Sequence, residues 1–175
     1  MTITPDGKDW TWVLEKACPQ CGLDTHQVDP RDVAGMVRGN ASSWGEVLAA
    51  PDVRARPSPQ KWSALEYGCH VRDVFRRFDE RLHLMLSEVD PVFPNWDQDA
   101  TALEDDYAGQ DPAVVSDQLV EAAARIADSF DLVAGDQWHR TGARSDGARF
   151  TVATLARYFV HDPIHHLYDV TGQRP

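Results

Sequence analysis

The thirteen residues from Tyr158 to Val170, YFVHDPIHHLYDV, hold three of the chain's seven histidines and two aspartates. Imidazole nitrogens and carboxylate oxygens are donors for divalent cations such as zinc. On a helix, residues four apart share a face, so donors at i and i+4 reach one ion. Two pairs have that spacing: His161 with His165, and Asp162 with His166. Helical phase separates them. At about 100° per residue, the apolar Val152, Leu155, Phe159, Pro163, Leu167 and Val170 gather on one side. Measured from Phe159, His166 lies about 20° away and Asp162 about 60°, at the edge of that face. His165 lies about 120° away and His161 about 160°, toward solvent. The expected inward pair is Asp162 and His166.

A third donor comes from an earlier segment, SALEYGCHVRDVFRRFDERLHLMLSEV, where His70 falls about 80° from Phe78, again at the margin of the apolar stripe. His70, Asp162 and His166 would give three protein ligands and leave coordination positions open, the pattern of a catalytic rather than a structural ion. Pro163 bears directly on this set. Proline lacks a backbone donor and disfavours helical geometry in the residue before it. If it kinks the helix, His161 or His165 replaces Asp162; if a new turn starts there, Asp162 is its cap.

The elements that must position these residues read as helices. Asp29-Pro30 starts the first, with apolar Val33, Met36, Val37, Trp44, Val47 and Leu48. Ser63 and Glu66 form a capping box at the start of the second. Its Tyr67, Val71, Val74, Phe78, Leu82, Met85 and Val89 make an amphipathic stripe. Asp111-Pro112 opens the third helix and Gly135 lies near its stop. The fourth begins near Thr151. Residues 90–110, DPVFPNWDQDATALEDDYAGQ, read as a long acidic loop that packs through Phe93, Trp96 and Tyr107. DQWHRTGARSDGARFT reads as a hairpin-like connection around Asp146-Gly147. The expected fold is an all-α four-helix bundle over 29–175 with crossover connections, preceded by an irregular segment over 1–28.

Composition narrows the partners. The chain has 175 residues, 42% hydrophobic, with a formal net charge of −11. That length supports one domain with a core. An acidic surface repels phosphate backbones, so no nucleic-acid partner is expected. Arg72, Arg76, Arg77 and Arg81 alternate with acids and read as a solvated, ion-paired helix face. No apolar run approaches the roughly 18 residues of a membrane span, so no membrane partner is expected. MTITPDGKDW has neither the basic start nor the apolar stretch of a signal peptide, and the expected location is the cytoplasm. Three cysteines, Cys18, Cys21 and Cys69, are too few and too odd in number for a disulfide framework. Cys18 and Cys21 form a lone CxxC, which reads first as an inert turn and second as half of a zinc site completed from elsewhere. Cys69 falls about 180° from Phe78 and reads as off the core face.

WSALEYGCHVRDV on one helix, followed much later by HDPIHHLYDV on the last, resembles the DinB-like superfamily, which includes mycothiol-dependent maleylpyruvate isomerase and related thiol-dependent transferases. The resemblance covers the chain from about Asp29 onward. It implies a four-helix bundle with a divalent metal, often zinc or nickel, at one end, and a histidine ligand at the position of His70. In the isomerase branch the last helix carries Glu, then His four residues on, then Asp three further; Asp162, His166 and Asp169 have that spacing. In the DinB branch His replaces the Glu and Gln the later Asp, with the final ligand again at His166. Asp162 is shorter than the family's Glu, and Pro163 follows it directly. The resemblance also implies a low-molecular-weight thiol as cosubstrate.

Two functions follow as expectations. One is a divalent-metal-dependent enzyme, a thiol-dependent S-transferase or isomerase acting on a small electrophile, with Asp169 orienting His166 from behind. The other is a non-catalytic metal-binding or stress-response bundle that works through homodimerisation or ligand sequestration.

Overall fold

The computed structural model describes residue 3 and residues 9–175; residues 1–2 and 4–8, with the Pro5 part of the irregular opening, lie outside the described residues. Four long helices make the frame: α1 (Val33–Leu48), α2 (Ala64–Ser87), α4 (Pro112–Asp131) and α5 (Val152–Thr171), with a short α3 (Gln98–Glu104) between the second and third of these. The expected four-helix bundle is therefore present. α4 and α5 each pack against both α1 and α2, whereas α1 and α2 touch sparsely. α1 and α2 thus sit across one diagonal and α4 and α5 across the other, which is a crossover rather than an up-down arrangement.

Local chemistry sets the helix boundaries. Asp29 accepts from the Arg31 amide and starts a 3-10 turn that leads into α1. Ser63 and Glu66 form the expected capping box on α2. Asp111 accepts from the amides of Ala113 and Val114, with Pro112 in the first turn of α4. Thr151 caps α5 through the Thr154 amide. Aromatic and aliphatic side chains from all four helices fill the centre, including Trp44, Phe75, Leu82, Leu119, Ile126 and Phe159, each essentially inaccessible.

Pro163 lies inside α5 and does not end it. Its missing amide deprives the Phe159 carbonyl of a partner. The helix is held at this point by Asn40 on α1, whose amide donates to the Pro163 carbonyl at 2.9 Å while its oxygen accepts from Trp44 Nε1 at 3.2 Å.

One segment is more structured than expected. The acidic loop contains α3, capped by Asp97 through the Ala100 amide, and a two-residue strand β1 (Val92–Phe93). Phe93 and Tyr107 are fully buried, as their aromatic character suggested. The connection before α5 is an antiparallel hairpin of β2 (Thr141–Arg144) and β3 (Arg149–Thr151), with Gly147 at φ +98° in its loop. β1 adds to β2 in parallel.

This folding-over of the 90–111 segment corrects two expectations on α2. Arg76 and Arg77 are exposed and ion-paired to Asp73 and Glu80. Arg72 and Arg81, however, are buried. Arg72 donates to Gln110 and Gln118 while pairing with Asp73. The Arg81 guanidinium lies over the rings of Phe78 and Phe93, at 4.8 and 5.0 Å. Cys69, expected off the core, is also fully buried, its sulfur 3.8 Å from the Tyr107 carbonyl. A single helix has one apolar stripe by phase, but α2 is covered on a second side by the loop that crosses it.

Candidate metal centre

His70, Asp162 and His166 come together: one donor atom from each lies within 4.8 Å of the other two. His70 is wholly inaccessible, more deeply buried than the stripe edge suggested. Its ring stacks on Trp96 (centroids 5.3 Å apart, planes 4° apart) and tilts against Trp62. Its Nε2 faces Asp162 Oδ1 at 3.3 Å, and the same oxygen faces His166 Nε2 at 3.7 Å.

The inventory of partners is informative. Neither ring nitrogen of His70 makes a hydrogen bond among the described residues, and neither does the buried Oδ1 of Asp162. Buried polar atoms are nearly always satisfied, and an exception points to an absent ion or water. Orphaned His70 Nε2 and Asp162 Oδ1 converge with His166 and fit a divalent cation, which accepts imidazole and carboxylate donors together. Burial alone would raise the Asp162 carboxyl; the facing imidazoles of His70 and His166 outweigh it and hold the group well below the usual carboxylate range. Asp162 is therefore an anion, the form that ligates.

Asp169 sits where the spacing put it. Its Oδ2 is 3.0 Å from His166 Nδ1. A carboxylate only accepts, so Nδ1 carries the proton of this hydrogen bond, and Nε2, on the side of Asp162, is the nitrogen that would ligate an ion. Burial opposes the ionisation of Asp169, but the His166 hydrogen bond and charge hold its carboxyl below the usual range.

His161 and His165 do not face solvent. They are 4% and 6% exposed. Residues 9–28 run over the side of α5 opposite the bundle, with a 3-10 turn at Trp10–Leu14 and another at Thr25–Gln27, both packed on α5. Trp10 stands against both rings, its centroid 5.6 Å from His161 and 5.3 Å from His165. Burial, and after it neighbouring His165, push His161 down to about 4, so its ring is neutral. Phase counted from Phe159 recognises only the bundle side of α5; the second buried side depends on a segment more than a hundred residues away in sequence.

A cleft partly open to solvent reaches this cluster. Asp162 and His166 lie in its wall with Trp10, Trp96, Tyr158 and two arginines, Arg81 and Arg144. Arg144 pairs with Asp146 at 2.8 Å and donates to the Tyr158 hydroxyl at 3.0 Å. Arg81 has no carboxylate within ion-pair distance among the described residues, and its Nε has no hydrogen-bond partner. Burial pushes its guanidinium down to about 10, which still leaves it charged at neutral pH. No sequence reading singled out Arg81 for the site, because its pocket is closed by Phe93 on the far side of a loop. Trp138 and Arg140 do not line the cleft: Trp138 stacks on Phe130, and Arg140 donates to the Met85 and Glu88 carbonyls at the end of α2.

A bundle with crossed connections and a His/Asp/His cluster at the mouth of a cleft defines a class, and comparison with known proteins agrees on the fold. Residues 36–170 match the DinB superfamily, and the chain belongs to it. The chain is similar to the solved structure of YfiT from Bacillus subtilis, described as a probable metal-dependent hydrolase with an unusual four-helix bundle topology. The two share 19% identity and superpose with a TM-score of 0.70 over 90% of this chain and 91% of that one. No curated protein matches. Among the described residues, no helix is long and apolar enough to cross a membrane.

Proposed function

We propose that the protein is a metal-dependent enzyme in which His70, Asp162 and His166 hold a divalent cation, zinc or nickel, and activate a small nucleophile against a small electrophile that carries an anionic group. The observation that carries this reading is the convergence of orphaned buried donors, His70 and Asp162 Oδ1, with His166 beside a solvent-open cleft. Three protein donors leave room for an exchangeable ligand. That opening supports an enzyme over a sequestering bundle, whose ion would be coordinatively closed.

When bound, such a cation lowers the pKa of a ligated water or thiol toward neutrality. The protein's own residues do the rest. Asp169 fixes the tautomer and orientation of His166. Trp96 and Trp62 wall off His70 and keep that side dry, which strengthens electrostatic interactions within the site. Arg81, buried, charged and lacking a carboxylate partner, is the group that would orient an anionic substrate.

The resemblance of Asp162, His166 and Asp169 to the isomerase branch of the superfamily favours a low-molecular-weight thiol as nucleophile, hence S-transfer or isomerisation through a thiol adduct. The similarity to YfiT favours water, hence hydrolysis. The test begins with metal content. His70→Ala and His166→Ala are expected to lose the equivalent that the wild type holds at this cluster; full retention by both would sink the proposal. Metal-loaded wild type is then assayed with a panel of bacterial thiols and with activated esters and amides. Arg81→Gln is expected to raise KM for anionic substrates while changing their neutral analogues little.

A further inference from the structure

Apart from that cluster, the fold brings together Cys18, Cys21, His161 and His165, all four buried, with one donor atom from each within 4.8 Å of every other. We propose that these side chains hold a second divalent ion, zinc, in a closed Cys2His2 site that fastens the N-terminal segment to α5. This inference does not depend on the first site or on any activity.

The donor set, spacing and local geometry all favour zinc. Two cysteines separated by two residues and two histidines one helical turn apart are a recurrent structural zinc set. Tetrahedral zinc, with Zn–S near 2.3 Å and Zn–N near 2.0–2.1 Å, places its donors about 3.3–3.8 Å apart. Cys18 Sγ and His165 Nδ1 are already at 3.6 Å. On the ring's other side, His165 Nε2 and Asp169 Oδ2 are 3.7 Å apart. His161 Nε2 is buried and without a hydrogen-bond partner among the described residues.

The CPQCG turn is built to present both sulfurs to one point. The Gly22 amide donates to the Cys18 carbonyl at 2.8 Å and the Cys18 amide to the Leu23 carbonyl at 2.9 Å. Gly22 sits at φ +85°, a conformation that a side chain at this position would disfavour. Zinc binding would release the two thiol protons to solvent and leave four protein ligands and no open position. The consequence reaches the first site, because the fastened segment carries Trp10, which forms part of the cleft wall.

Cobalt substitution of the reduced wild type tests this without any variant. Neither Cys18 nor Cys21 belongs to the His70–Asp162–His166 cluster, and Cys69 faces the Tyr107 carbonyl. A near-ultraviolet thiolate-to-cobalt charge-transfer band therefore reports the second site alone. The band is expected in wild type and in His70→Ala, and is expected to be lost, with one equivalent of metal, in Cys18→Ser and Cys21→Ser. Wild type without the band overturns the proposal. So does a folded Cys21→Ser that keeps the wild-type metal content, or a quantitative Cys18–Cys21 disulfide in protein trapped by alkylation at cell lysis. Loss of metal from His70→Ala with the band intact tests the first site only, so the two failures are distinguishable.

Discussion

Glu66 controls the start of the helix that carries His70, and removing it has a calculable cost. Its side chain is 4% exposed. One oxygen accepts from the Ser63 amide at 2.8 Å, the Ser63 hydroxyl at 2.8 Å and Arg56 Nε at 2.9 Å, and the other pairs with Arg56 Nη2. Glu66→Ala strands the buried Ser63 amide, at about 1–3 kcal/mol, and deletes hydrogen bonds to a charged group worth about 1.5–3 kcal/mol. Arg56 is one-third exposed and turns to water, which limits the loss. The expected total is about 3–4 kcal/mol, or roughly 6–16 °C in Tm at about 2–4 °C per kcal/mol for a chain of this size. Glu66→Gln keeps an acceptor for Ser63 and is expected to cost about half as much.

The pH dependence has a definite sign. Burial tends to raise the Glu66 carboxyl, but the Arg56 and Ser63 hydrogen bonds hold it below its ordinary value. A depressed folded pKa stabilises above the unfolded value, about 4.3, and that stability is lost as pH falls through the folded value. Urea denaturation followed by circular dichroism at pH 7 and at a series of acid pH values measures both effects. The wild-type advantage over Glu66→Gln should be full at pH 7 and shrink below about pH 4. A Glu66→Ala cost under about 1 kcal/mol, or an advantage over Glu66→Gln that does not vary with pH, would refute the reasoning.

Two further outcomes follow from the same geometry. Asp169→Ala should weaken metal binding at the His70 cluster by about 10–100-fold in a chelator competition titration, because His166 loses the acceptor that fixes its tautomer; unchanged affinity would remove Asp169 from the site. Asn40→Ala should destabilise by about 1–3 kcal/mol in the same urea assay by stranding Trp44 Nε1, with loosening of α5 around Pro163 visible as faster amide exchange in that turn.

Capping chemistry and amphipathic period are local, and they are legible in the order of residues alone. Ser63 with Glu66, Asp111 with Pro112 and the aromatic residues of the 90–110 segment each act within a few positions of themselves, so the helix starts and the buried Phe93 and Tyr107 follow directly. The same period set His166 and Asp162 toward the bundle and matched them to His70 across about ninety residues. That match held because one helix face suffices to define it.

Other features depend on packing between distant segments, and only the tertiary structure decides them. Pro163 lies inside α5, and its carbonyl takes a hydrogen bond from Asn40 on another helix. His161 and His165 are buried because residues 9–28 fold back over α5, which also turns an isolated CxxC into half of a four-donor cluster. Arg81 becomes part of the cleft, with no carboxylate partner, because Phe93 and its strand close over α2. Helical phase describes one face against one core. A helix wrapped on two sides has a second buried face, set by what packs there rather than by its own sequence.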